Sequence, residues 1–132
     1  MFPAARSWHS GDVHLRCLLV DDNDAFLKAA SILLEREGVT VAGVAHTIAQ
    51  ALQQIEALRP DVILIDIRLG DESGFDLARR LARNGSGATL IMISTRAGAD
   101  YAELIEESPA AGFLAKSELS ARGIRRLHGQ TP

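Results

Sequence analysis

Short aliphatic runs alternate with helical spacings five times along this chain, and that alternation limits the fold more than any other feature. The runs are Leu15 to Val20, Val39 to Ala45, Val62 to Ile67, Leu90 to Ile93 and Gly112 to Ala115. Unbroken apolar runs suit strands covered on both faces, as in a parallel sheet. Strands exposed on one face would alternate apolar with polar residues instead.

The segments between carry helical spacing. Phe26, Ala29, Ala30, Leu33 and Leu34 mark a first helix that Gly38 ends. Ile48, Ala51, Leu52 and Ile55 mark a second, opened by a Thr47–Gln50 capping pattern and closed by Pro60. Leu77, Ala78, Leu81 and Ala82 mark a third, with Gly85 as its stop. Leu104 and Ile105 sit in a fourth, closed by Pro109, and residues 118–128 form a fifth that Gly123 weakens. The expected fold is therefore α/β, a doubly wound five-stranded parallel sheet of order 2-1-3-4-5 with helices on both faces. Its ligand site is expected beyond the carboxyl ends of strands 1 and 3.

At 132 residues the chain suits one domain, and with 47% hydrophobic residues it can bury a core. The expected organisation is a flexible N-terminal arm over 1–13, a domain over 14–128 and a tail over 129–132. The arm holds Trp8, which the sequence leaves free to pack back. A net charge of −3 argues against direct nucleic-acid binding by electrostatics. The single Cys17 cannot form an internal disulfide and fits a reducing compartment. No apolar stretch reaches the ~18 residues that span a bilayer, and no signal-peptide core is present. The expectation is a cytoplasmic protein without membrane contact.

The strand ends carry the chemistry. The first run ends in Asp21-Asp22, the third runs into Asp66, the fourth ends at Ser94-Thr95 and the fifth runs into Lys116. Crowded carboxylates raise one another's pKa or recruit a cation. Hard oxygen ligands at this density suit Mg²⁺, whereas scattered histidines and a lone cysteine do not suit zinc. A cation and an ammonium beside one carboxylate make a trap for a phosphoryl group, with Ser94 as a hydrogen-bond donor. Asp66 is then a nucleophile that forms an acyl phosphate. Blander readings exist: Asp21 and Asp22 as helix caps, Ser94 as a turn residue, Lys116 as a solvated lysine. Asp66 is harder to explain away, because a charge continuing Val-Ile-Leu-Ile is costly to bury without a partner.

The stretches L-R-C-L-L-V-D-D-N-D at 15–24, D-V-I-L-I-D-I-R-L-G-D-E-S-G at 61–74, L-I-M-I-S-T at 90–95 and G-F-L-A-K at 112–116 together resemble the receiver domain of bacterial response regulators, a flavodoxin-like fold of two-component signalling. The resemblance spans roughly residues 15–128. It implies that Asp21, Asp22, Asp66 and the backbone carbonyl of Arg68 hold Mg²⁺, and that Asp66 is the phosphoacceptor. It further implies that Ser94 moves to meet the phosphoryl group, Lys116 pairs with it, Phe113 turns inward as the switch aromatic, and Gly74 shapes the loop after strand 3. Phe113 as a plain core aromatic is the alternative.

Two positions depart from the family pattern. Gly70 stands where proline is usual, which suggests a more mobile loop. Thr95 stands where a smaller residue is usual and narrows access. Arg68 and Arg96 occupy the two variable positions beside the site. They either contact and screen the phosphoryl group, slowing its hydrolysis, or lie in solvent.

The implied partners are a histidine kinase or phosphotransfer protein upstream and an unidentified protein downstream. A homodimer through the face of helix 4, strand 5 and helix 5 is a further expectation. The chain is read as a signalling phosphoacceptor that assists its own phosphotransfer and dephosphorylation, not as an enzyme. A C-terminal effector domain beyond Pro132 stays open, since the D-I-R-L-x-D-x-S-G run is similar to receivers with DNA-binding output. Of the rivals, a phosphatase of the haloacid dehalogenase type would want an Asp where Arg68 stands. A flavodoxin would not carry an acidic turn after strand 1. An adaptor that is never phosphorylated would be favoured by loss of the acidic pair or the lysine, and all are present.

Overall fold

A computed structural model describes residues 14–129; the expected arm and its Trp8 lie outside them. Five strands, β1 (Arg16–Val20), β2 (Thr40–Ala45), β3 (Val62–Asp66), β4 (Thr89–Ser94) and β5 (Gly112–Ala115), form one parallel sheet in the order β2-β1-β3-β4-β5. This is the expected order. Helices α1 (Asp24–Arg36), α2 (Ile48–Leu58), α3 (Gly74–Arg83), α4 (Ala102–Glu106) and α5 (Ala121–Gly129) follow the strands in turn.

Alternation along each strand sends neighbouring side chains to opposite faces. Leu19, Leu64, Ile93 and Leu114 pack with Leu27 and Leu34 of α1 and Ile124 and Leu127 of α5. Val20, Ile65 and Met92 pack on the other face with Ala51 of α2 and Phe75, Leu77 and Leu81 of α3. Each such side chain, fully buried, contributes about 2 kcal/mol. Two apolar layers explain why the strand runs are aliphatic throughout.

The helix ends differ in detail from the sequence reading. Asn23, not Asp21 or Asp22, caps α1, accepting from the Phe26 N–H at 3.0 Å. Asp21 is thereby free for other partners. Thr47 caps α2 as expected, accepting from Gln50 N–H, but the Gln50 side chain accepts from the His46 N–H rather than closing the box on Thr47. The fourth helix is a single turn preceded by a 3₁₀ turn at Gly98–Tyr101, and it stops at Glu106, ahead of Pro109. The fifth begins at Ala121, because Lys116–Glu118 forms a separate 3₁₀ turn. Gly123 has a packing reason: a Cβ there would lie 3.1 Å from Leu114 Cδ2, so its absence lets α5 lie close on β5.

Between β3 and α3, Arg68–Leu69 pairs antiparallel with Glu72–Ser73 in a small hairpin. Gly70 sits in its two-residue turn with φ 65. Glycine here supplies a left-handed conformation that proline, fixed near −65°, cannot adopt. Glu72 ties the hairpin to α2, its carboxylate accepting from the Ile48 N–H at 3.1 Å.

Candidate phosphoacceptor site

Strand register assembles the site. Val20 pairs with Ile65, so Asp21 lies level with Asp66; Asp66 pairs with Ile93 and Ser94 with Ala115, which sets Ser94 and Lys116 alongside. Carboxylate oxygens of Asp21, Asp22 and Asp66 all lie within 4.8 Å of one another. Lys116 Nζ is 2.6 Å from Asp21 Oδ2 and donates to Asp66 Oδ2 at 3.1 Å. Asp21 is wholly buried and Asp66 nearly so, while Asp22 is exposed. The backbone shapes the pair further: the Asn23 N–H donates to Asp21 Oδ1 at 2.9 Å and the Arg68 N–H to Asp66 Oδ1 at 3.2 Å.

Burial pushes the Asp66 carboxyl up to about 6, with help from the charge of Asp21; Lys116 and the Arg68 N–H pull the other way and do not cancel it. Burial pulls the Lys116 ammonium down, but its hydrogen bond to Asp21 and the charges of Asp66 and Asp21 outweigh that, and its pKa is raised. Lys116 therefore stays charged. The ring of Phe26 lies 4.5 Å below the ammonium and adds a cation–π contact.

These residues fit a hard divalent cation. Three carboxylates face one ammonium, which leaves excess negative charge. Asp21 Oδ2 is buried, and the Lys116 ammonium at 2.6 Å is its one partner among the described residues. The Asp22 carboxylate is exposed and has no hydrogen-bond or ion-pair partner among the described residues. An all-oxygen donor set of this kind suits Mg²⁺.

A cleft of about 320 Å³ opens over Asp66. Ser94, Thr95, Arg68 and Arg96 line it, as the sequence suggested. Both arginines are exposed, and their guanidinium groups make no hydrogen bond or ion pair among the described residues. Ser94 Oγ accepts from the Arg96 N–H at 3.0 Å, so its hydroxyl proton is free to turn outward. Phe113 is half-buried on the α2–α3 face, its ring against Gly98, where a Cβ would come within 2.8 Å of it. Gly74 is held tighter still: a Cβ would lie 2.0 Å from the Asp66 carbonyl oxygen.

Sequence reasoning missed three contributors. Phe26 reads as a core position of α1, and only the fold brings it under Lys116. Tyr101 lines the cleft but belongs to no motif. Gly98 matters only through the ring stacked on it.

The family model of the response regulator receiver domain matches residues 17–128. The DNA-binding response regulator MtrA of Mycolicibacterium smegmatis is 34% identical over 116 residues, 85% of this chain and 50% of that protein. The transcriptional regulatory protein YvfU of Bacillus subtilis, itself uncharacterized, is 33% identical over 103 residues, 77% of this chain and 52% of that protein. Among solved structures, a CheY-like response regulator receiver domain protein from Methanospirillum hungatei superposes with a TM-score of 0.74 at 25% identity, covering 90% of this chain and 94% of that one. A five-stranded parallel α/β fold with an acidic carboxyl edge and these relatives lead to one conclusion: the chain belongs to the response regulator receiver domain family of two-component signalling. It spans about half the length of the curated relatives it matches. Among the described residues no helix is long and apolar enough to cross a membrane.

Proposed function

We propose that this chain accepts a phosphoryl group from phosphohistidine on Asp66 and thereby switches a protein-interaction face. The observation that carries the reading is the Lys116 ammonium held between Asp21 and Asp66, with the Asp22 carboxylate grouped beside them. An Asp66 carboxylate oxygen attacks phosphorus, the P–N bond to the donor imidazole breaks, and the leaving nitrogen takes up a proton. Mg²⁺, held by Asp21, Asp22, Asp66 and the Arg68 carbonyl, would supply positive charge to the phosphoryl oxygens during transfer. Lys116 supplies a second positive charge. Ser94 then leaves the Arg96 N–H and donates to a phosphoryl oxygen.

Two further steps complete the switch. Phe113 turns into the space that Ser94 vacates, which changes the face of α4, β5 and α5. Phosphorylation moves the population between the two arrangements only by its difference in affinity for each. Thr95, Arg68 and Arg96 are proposed to tune how long the group survives. Upstream, a histidine kinase or phosphotransfer protein is the donor. Downstream, the α4–β5–α5 face meets a protein partner or a second copy. The MtrA relative, a DNA-binding response regulator of which this chain spans half, supports a second output, a DNA-binding effector domain controlled by this one.

The test is phosphorylation by a small acyl phosphate with Mg²⁺. Wild type should acquire acid-stable, alkali-labile label and Asp66→Asn should not. Label that persists on the variant would exclude Asp66 as the acceptor.

A further inference from the structure

Tyr101 lines the cleft over Asp66, and neither the motifs nor the switch described above uses it. It is the last residue of the 3₁₀ turn Gly98–Tyr101. Its ring is half-buried and packs against the same apolar layer that holds Phe113, which fixes the side chain from behind. Its hydroxyl makes no hydrogen bond among the described residues. A phenol whose ring is half-buried beside the cleft, with an O–H that has no partner among the described residues, is a donor available to a group bound there.

Resting on the phosphoacceptor reading, we propose that Tyr101 is a phosphoryl-binding residue. Its ring walls the cleft against water, and its hydroxyl donates to a phosphoryl oxygen on Asp66. The step it opposes is hydrolysis. Water attacks phosphorus, the bond between phosphorus and the Asp66 oxygen breaks, the carboxylate is restored and the protons of water leave with inorganic phosphate. Excluding water slows that attack, and a hydrogen bond from Tyr101 holds the group in the cleft. The same turn carries Gly98 under the Phe113 ring. Contact at Tyr101 therefore also bears on the segment against which the switch aromatic rests.

The chain has one tyrosine, so ¹³Cζ-tyrosine labelling reports this hydroxyl alone. Adding beryllium fluoride, a tetrahedral phosphoryl mimic, with Mg²⁺ should shift that resonance in wild type and leave it unmoved in Asp66→Asn. After phosphorylation by a small acyl phosphate, Tyr101→Ala should lose the group about threefold faster or more. Tyr101→Phe keeps the ring and should stay within about twofold of wild type. An unmoved ¹³C resonance, or equal lifetimes in wild type and Tyr101→Ala, overturns the inference while Asp66 labelling stands. Wild type that takes up no label on Asp66 overturns the phosphoacceptor reading and this inference together. Circular dichroism of both variants confirms that each is folded.

Discussion

Lys116 Nζ lies 2.6 Å from Asp21 Oδ2, and Asp21 is fully buried. A buried carboxylate with a single cationic partner depends on it heavily, since removing one member leaves an uncompensated charge. Lys116→Met keeps much of the aliphatic stem and deletes the charge. In EDTA at pH 7 this variant should be less stable than wild type by about 2–4 kcal/mol. Adding Mg²⁺ should recover part of the loss. Urea denaturation with and without the metal measures both, and equal midpoints in EDTA would mean that the pair contributes nothing.

Asp66 titrates near 6 rather than at its ordinary 3.8, because burial and Asp21 disfavour its charge. The sign follows from linkage: a raised folded pKa means that the native state binds the proton more tightly than the unfolded state. Ionised Asp66 therefore costs stability, a cost absent below pH 3.8 and fully present above about 6. Metal-free Asp66→Asn should thus be more stable than wild type by roughly 1–2 kcal/mol at pH 7, with the gap closing as pH falls toward 4. A cation bound beside Asp66 would favour its charged form, so the gap should shrink when Mg²⁺ is added. Thermal melts across this range decide the first point; a gap that widens in acid would contradict it.

Gly74 leaves no room for a methyl group, because its Cβ would stand 2.0 Å from the carbonyl oxygen of Asp66. That atom is backbone and cannot swing away, so α3 would have to retreat from β3. Gly74→Ala should cost about 3 kcal/mol, at the upper end for overpacking. Labelling at Asp66 should weaken with it, since the same shift displaces the hairpin that carries Arg68. Chemical denaturation and uptake of label test the two consequences separately.

Strand order, strand positions and the four strand-end residues Asp21, Asp66, Ser94 and Lys116 could be read directly from the chain. Aliphatic runs buried on both faces are a strong local signal, and an acid or amine that ends one stands out. What could not be read depends on three-dimensional company. Asn23 rather than either acid caps α1, because the Asp21 side chain is claimed by the Asn23 N–H and by Lys116. Phe26 looks like any core residue of an amphipathic helix until the fold lays it under an ammonium. Tyr101 belongs to a turn whose path follows from packing, not periodicity.

Gly70 illustrates the same limit, since its departure from the family pattern marks a left-handed turn position that only the fold makes visible. Its φ of 65 lies far from the angle that proline enforces. Gly70→Pro should therefore be destabilising by at least about 2 kcal/mol, although proline is the family's usual residue there. Gly70→Ala should cost about 1 kcal/mol, the ordinary penalty for a left-handed non-glycine residue. Denaturation midpoints of the two variants rank them, and a stabilised Gly70→Pro would show that the turn adopts another form.

Arg68 and Arg96 line the cleft from two different loops, and neither guanidinium is engaged elsewhere among the described residues. A phosphoryl group on Asp66 would offer both a nearby dianion, and Arg can bind such a group through paired N–H donors. Each contact is exposed and so worth at most about 1 kcal/mol. Removing both should therefore shorten the phosphoryl lifetime by roughly three- to tenfold, with single variants falling between. The electrostatic part should fade with salt, so the gap between wild type and Arg68→Ala/Arg96→Ala should narrow as ionic strength rises. Phosphate release followed after labelling gives the lifetimes. A double variant that holds its phosphoryl group as long as wild type would place both side chains in solvent, leaving Thr95 and Tyr101 as the side chains that restrict water at the cleft.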